Sequence, residues 1–169
     1  MHIVLSKMTP FPWDESLSEN WQERLTNLSK LVVKAKKYGI GIYLYLNEPR
    51  FMPLSFFDKY PDLKGVEMDG HAALCTSHPD VQKYLIDSMA LMTAQVPDLA
   101  GFFSITASEN PTHCWSHGKG ATCPRCSKRS PAEVISELNN IYLTGIQKGL
   151  ASHTSVKGPK LIAWDWGWQ

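Results

Sequence analysis

The segment from Ile105 to Lys128, ITASENPTHCWSHGKGATCPRCSK, concentrates the reactive side chains of the chain. One acid, Glu109, is followed by His113, Cys114, His117, Cys123 and Cys126. The pattern Cys114-x2-His117-x5-Cys123-x2-Cys126 offers four soft or borderline donors at short spacing. Two residues on one tight turn can reach the same ion, and two such turns complete a tetrahedron, as in structural zinc sites. Cys123-Pro124-Arg125-Cys126 has the form of a zinc knuckle, and Gly118, Gly120 and Ala121 let the loop turn back between its halves. The expected ligands of a structural Zn2+ are therefore Cys114, His117, Cys123 and Cys126, with His113 an alternative to His117. A Cys123/Cys126 redox or disulfide pair, or three free thiols on a mobile loop, are the competing readings. A catalytic zinc needs an open coordination position, and this cluster can fill all four. Cys75, distant in sequence, reads by default as a small buried hydrophobe.

Glu109 stands just past an apolar run. A carboxylic acid at a strand end can donate a proton to a leaving group held over it; the plain alternative is a solvated loop residue. A metal knot beside it would hold such an acid rigidly. Trp164-Asp165-Trp166-Gly167-Trp168 is a second constellation. Alternation puts the three indoles on one side and Asp165 on the other. Indole faces suit sugar rings and Asp165 can bind hydroxyls or serve as a second carboxylate, against the alternative of core packing at a barrel end. Asn47, Glu48 and Arg50 follow another apolar run and can line the same mouth as substrate contacts.

The elements that would position these groups alternate. A strand is expected over residues 2–6. A capping box at Ser16–Glu19 opens a helix reaching about residue 38. Ile40 to Leu46 is a nearly continuous apolar strand of the kind covered on both faces. Asp69-Gly70 marks a hairpin between residues 66–68 and 72–74. A helix follows from Ser77 to Pro97, then a strand over residues 101–106, then the reactive loop over residues 110–129. Ser130-Pro131-Ala132-Glu133 is a capping box with proline at the first helical position. A last strand covers residues 161–164. The order β-α-β-α-β-α-β implies a parallel sheet with helices outside it, with chemistry at the C-terminal strand ends. No glycine-rich phosphate loop follows any strand.

With 169 residues, the chain makes one domain with a real core. Its four expected strands are half of the eight in a complete (β/α)8 barrel, which usually needs about 250 residues. The expectation is an α/β fold of TIM-barrel type, partial, with about four βα units. Bare parallel edges invite association, so a homo-oligomer or a further chain segment is expected to cover them. A net charge of +1 gives no footprint for nucleic acid or an anionic membrane. No apolar run approaches membrane-spanning length. The N-terminus has no secretory signal, which leaves localisation open between the cytoplasm and, for a truncated N-terminus, the periplasm or exterior.

The run from Ala73-Leu74-Cys75-Thr76-Ser77-His78-Pro79, through Pro97-Asp98-Leu99-Ala100-Gly101, to Ser108-Glu109-Asn110 and Cys123-Pro124-Arg125-Cys126 resembles (β/α)8 glycoside hydrolases. It is most similar to barrels related to the family 20 hexosaminidases and to bacterial glycosidase-like proteins with a C-P-x-C loop. Family 20 enzymes carry an Asp-Glu pair after a strand; here the pair is Ser108-Glu109. The resemblance implies a carbohydrate substrate and gives Glu109 the role of acid, but it supplies no Asp to orient a substrate N-acetyl group. Two other functions stand beside this one: a metal-dependent hydrolase using the Cys/His cluster, and a non-catalytic carbohydrate-binding or vestigial barrel fragment whose zinc is purely structural.

Overall fold

The computed structural model describes residues 1, 4–106, 111–153 and 157–164. Its helices are α1 (Leu5–Met8), α2 (Trp21–Lys36), α3 (Leu54–Lys59), α4 (Pro79–Gln95) and α5 (Pro131–Leu150). Its strands are β1 (Tyr43–Leu46), β2 (Met52–Pro53), β3 (Lys64–Met68), β4 (His71–Leu74), β5 (Gly101–Ile105) and β6 (Lys160–Trp164). The described residues form a mixed α/β structure with two small sheets. No closed barrel is present among the described residues. No described helix is long and apolar enough to cross a membrane.

The larger sheet is parallel and ordered β1-β5-β6, so each strand lies beside the next parallel strand of the chain. Leu44 pairs with Phe102, and Phe102 with Leu161. Met1 extends the sheet beyond β1: its N–H donates to the Tyr43 carbonyl and its carbonyl accepts from the Tyr45 N–H. That bracketing of Leu44 is parallel pairing. Residues 2 and 3 lie outside the described set. Leu5 and Ser6, expected in a strand, begin α1 instead. The reason is a buried partner: the Leu5 N–H donates to Glu48 Oε1 at 2.9 Å, and Leu5 is wholly buried in the core.

The smaller sheet is the antiparallel set β2-β4-β3, inserted between β1 and α4. Asp69 (φ 51°) and Gly70 (φ 75°) both take positive φ between β3 and β4, which is the backbone a two-residue hairpin turn requires. The capping box at Ser130 and Glu133 forms as expected. The one at Ser16 does not. Asp14 takes the Ser16 N–H, residues 15–18 close a single 3-10 turn, and α2 starts after Asn20 in the left-handed region.

The core lies between the parallel sheet and its helices. Leu44, Leu46 and Phe102 pack against Leu85, Met89 and Met92 of α4 and Leu138, Tyr142 and Ile146 of α5. The approach of α5 to α4 is close enough to dictate residue type. A Cβ on Gly145 would lie 2.6 Å from the Ile86 carbonyl oxygen and 2.5 Å from Met89 Cβ. In an exposed helix, glycine to alanine stabilises by about 1 kcal/mol. Here Gly145→Ala is expected to lower stability by about 1–3 kcal/mol, because the two helices must separate. Urea unfolding measures it, and a stabilised variant would contradict this packing.

Candidate metal centre and strand-end site

Cys75 directly follows β4, and its N–H donates to the Leu63 carbonyl at 2.9 Å. Cys114 sits in the turn after β5, Cys123 follows a 3-10 turn over Lys119–Thr122, and Cys126 opens another. The hairpin sheet and the β5–α5 loop thus meet through sulfur. The ligand atoms of Cys75, Cys114, Cys123 and Cys126 all lie within 4.8 Å of one another. Cys75 Sγ is 3.7 Å from both Cys123 Sγ and Cys126 Sγ. A tetrahedral ion with metal–sulfur bonds of about 2.3 Å sets its sulfurs about 3.8 Å apart. A disulfide needs about 2.05 Å. All four thiols are buried and free. The donor set therefore fits a four-coordinate soft or borderline metal ion.

This corrects the ligand set read from spacing. Cys75, expected to be a plain core residue, is the fourth member, and His117 is not one of the group. His117 is exposed. His113 is fully buried, but its Nδ1 accepts the Trp115 N–H at 3.1 Å. Burial pushes its imidazole down to about 4, which keeps it neutral. The chain's four cysteines all serve one cluster, and that even, complete use was the signal available in the sequence.

The cluster has its own small core: Val66, Ala73 and Val134, with Phe51 and Trp115 against it. A Cβ on Gly65 would lie 2.6 Å from Cys114 Sγ, so β3 can pass over the sulfurs only with glycine there. Hydrogen bonding with Cys123, then with Cys126 and Cys75, and burial push the Cys114 thiol up. Hydrogen bonding from Cys114 pulls Cys123 down. Four ionised thiols in such a pocket are tolerable only around a cation.

The loop that carries the cluster is clasped to the end of β5. Thr112 Oγ1 donates to the Thr106 carbonyl at 2.7 Å, and Ser116 Oγ donates to it at 3.2 Å. Ser116 Oγ also accepts the N–H groups of Thr112 and His113. Glu109 falls between these tied flanks but lies outside the described residues, as do Asp165 and Trp166.

At the end of β1, Asn47 and Glu48 are both 2% exposed. Glu48 Oε1 accepts from the Leu5 N–H, and its Oε2 accepts from the Arg50 N–H at 3.2 Å. The Arg50 Nε lies 3.9 Å from Glu48 Oε1, and Tyr142 donates its hydroxyl to the Glu48 carbonyl. Trp164 is 40% exposed on the sheet face opposite the helices. There Tyr45 and Phe103 stack at 5.9 Å, and Phe103 meets Trp164 edge-on at 5.4 Å. No protein-family model matches the chain, and no match is found among curated proteins or solved structures.

Burial raises the Glu48 carboxyl to about 7, against the opposing pull of the Leu5 N–H and Arg50. A folded-state value above the unfolded one means stability from this group is fully present below about pH 4.5 and is lost as pH rises through about 7. The loss is on the order of 3 kcal/mol at 1.36 kcal/mol per pKa unit. Glu48→Gln should remove that slope: the variant gains on the wild type between pH 4.5 and 7.5. Urea titrations across that range measure it, and a pH-independent offset between the two proteins would refute it.

Proposed function

We propose that the chain is a (β/α)8-type, glycoside-hydrolase-like domain acting on carbohydrate by general acid–base chemistry, its acid-bearing loop pinned by structural zinc. The observation that carries the reading is the aromatic row Tyr45–Phe103–Trp164 on the open face of the parallel sheet. It lies on the strands whose ends lead to Glu48, Glu109 and Asp165. Flat aromatic surface beside a few polar groups is the usual form of a small-ligand site. The unreversed order β1-β5-β6 supports the barrel-type architecture, because a doubly wound sheet reverses its strand order at the binding crevice.

In this reading Glu109 protonates the leaving-group oxygen. Asp165 supplies the second carboxylate that glycoside hydrolysis needs across the scissile bond. Asn47, Arg50, Trp164 and Trp166 contact sugar. Glu48 acts at one remove: its oxygens are occupied by the Leu5 and Arg50 N–H groups, so it holds the turn that presents Arg50. A metal-dependent hydrolase is the weaker reading, since four protein thiolates close the coordination sphere.

Two experiments test the two halves. Metal analysis of the purified protein should find about one zinc per chain, as for a closed tetrathiolate. Cys75→Ser should lose it and His117→Ala should keep it. Retention in Cys75→Ser, or bound iron in place of zinc, would overturn the assignment. For the chemistry, Glu109→Gln should slow glycosides with poor leaving groups by about 10²–10⁴-fold while sparing activated aryl glycosides. Equal loss on both classes removes the acid role. Trp164-dependent sugar binding without turnover would favour the non-catalytic domain, and neither binding nor turnover would end the carbohydrate reading.

A further inference from the structure

A tetrathiolate around a divalent cation carries a net charge of −2, and here it would be buried. Such charge must be offset by donors and cations nearby. The loop from Pro111 to Ser130 contains Lys119, Arg125, Lys128 and Arg129 and no Asp or Glu. One of these cations reaches a sulfur through a hydroxyl. Arg129 Nη1 donates to Ser77 Oγ at 2.9 Å. Ser77 Oγ lies 3.4 Å from Cys126 Sγ. Arg129 has only donors and Ser77 has one hydroxyl proton, so that proton is left for the sulfur. The same Nη1 is 2.7 Å from Glu137 Oε2 on α5, which fixes the guanidinium in place. Ser77 lies two residues beyond Cys75, so one short segment supplies both a ligand and a donor to another ligand.

We propose that Ser77 and Arg129 form a relay to Cys126 Sγ that sets the metal affinity of the four-cysteine site. The inference rests on the metal reading above and adds two positioning residues that touch no metal. The relay favours the metal-bound thiolate of Cys126, which only accepts hydrogen bonds, over a free thiol. Outer partners of metal ligands commonly contribute 10–100-fold to affinity.

The test is competition for Zn2+ between the full chain and a chromophoric chelator, with Co2+ absorption as a second readout. Ser77→Ala and Arg129→Ala should each weaken Zn2+ binding by about 10–100-fold. The double variant should lose no more than the larger single loss, because either change breaks the same relay. Ser77→Thr, which keeps the hydroxyl, should restore most of the affinity. The Co2+ charge-transfer band should shift in the two alanine variants and not in Ser77→Thr. Wild-type affinity in both alanine variants would overturn the relay. So would fully additive losses, which indicate two independent structural effects. Absence of Zn2+ and Co2+ binding by the wild type would instead overturn the metal reading beneath it. Circular dichroism of the metal-loaded variants separates a weakened site from an unfolded chain.

Discussion

Four sulfurs meeting in one buried pocket are the contact on which the peripheral half of this molecule depends. The antiparallel sheet is short, and β2 has two residues. A sheet of that size is marginal unless something packs against it. What packs against its far face is the loop from Pro111 to Ser130, itself built from turns and two 3-10 segments. One side of the sheet joins the main core through Ala72 and Leu74, but between sheet and loop the apolar surface is little more than Val66, Ala73, Phe51 and Trp115, with Val134 of α5 against them. The cysteines occupy the middle, where a larger protein would place leucines. A cation shared by Cys75 and the three loop cysteines would close a long chain loop, and cross-links of that kind stabilise chiefly by constraining the unfolded ensemble. The same linkage ties the end of β4 to the flank of residues 107–110.

A second constraint sits at the N-terminal side. Glu48 joins three parts of the chain. Its carboxyl takes the Leu5 N–H of α1 and the Arg50 N–H of the following turn. Its main-chain carbonyl takes the Tyr142 hydroxyl of α5. A buried carboxyl is costly unless its oxygens are satisfied, and here both have backbone donors. The Glu48–Pro49 bond is cis, and Thr9 Oγ1 donates to Ser88 Oγ of α4 nearby. The strand-end polar groups of β1 are thus part of the scaffold as much as of any mouth above it, with Arg50 half-buried beside Glu48.

Much of this was legible locally and little of it at long range. The capping box at Ser130 and Glu133 and the Asp69-Gly70 turn are decided by neighbours within a few residues, and both formed. Apolar runs located β1, β5 and β6. Ser16–Glu19 satisfied the same pattern and failed, because Asp14 competed for the Ser16 N–H and Asn20 could adopt positive φ. The run after His2 looked like one strand, yet Leu5 turned helical because a carboxyl from β1 awaited its N–H. Cys114, Cys123 and Cys126 were recognisable from spacing. Spacing also suggested His117, since it stood where a fourth donor was wanted. Cys75 could be reached only through the hairpin, whose register carries the end of β4 under the loop. Motif spacing sees donors on one segment and is blind to a donor brought in by a second sheet.

The two faces of the parallel sheet differ in burial and in residue type. On β1 and β5, Leu44, Leu46 and Phe102 point to the helices and are fully buried. The alternate positions Tyr45 and Phe103, with Trp164 of β6, point away and are less buried. A continuous apolar run suggested that both faces are equally core, but the helix side is mainly aliphatic, while the other side sets Tyr45, Phe103 and Trp164 beside Ile105 and Ile162. Aliphatic side chains fill helix–sheet interfaces well. Aromatic rings add a flat surface with a polar edge, which suits contact with a ligand that has both apolar faces and hydroxyl groups. A core requirement alone would be met by leucine or valine at Tyr45, Phe103 and Trp164. Three rings in a row on adjacent strands therefore give this face a flat, partly exposed aromatic surface that the helix-facing side does not have.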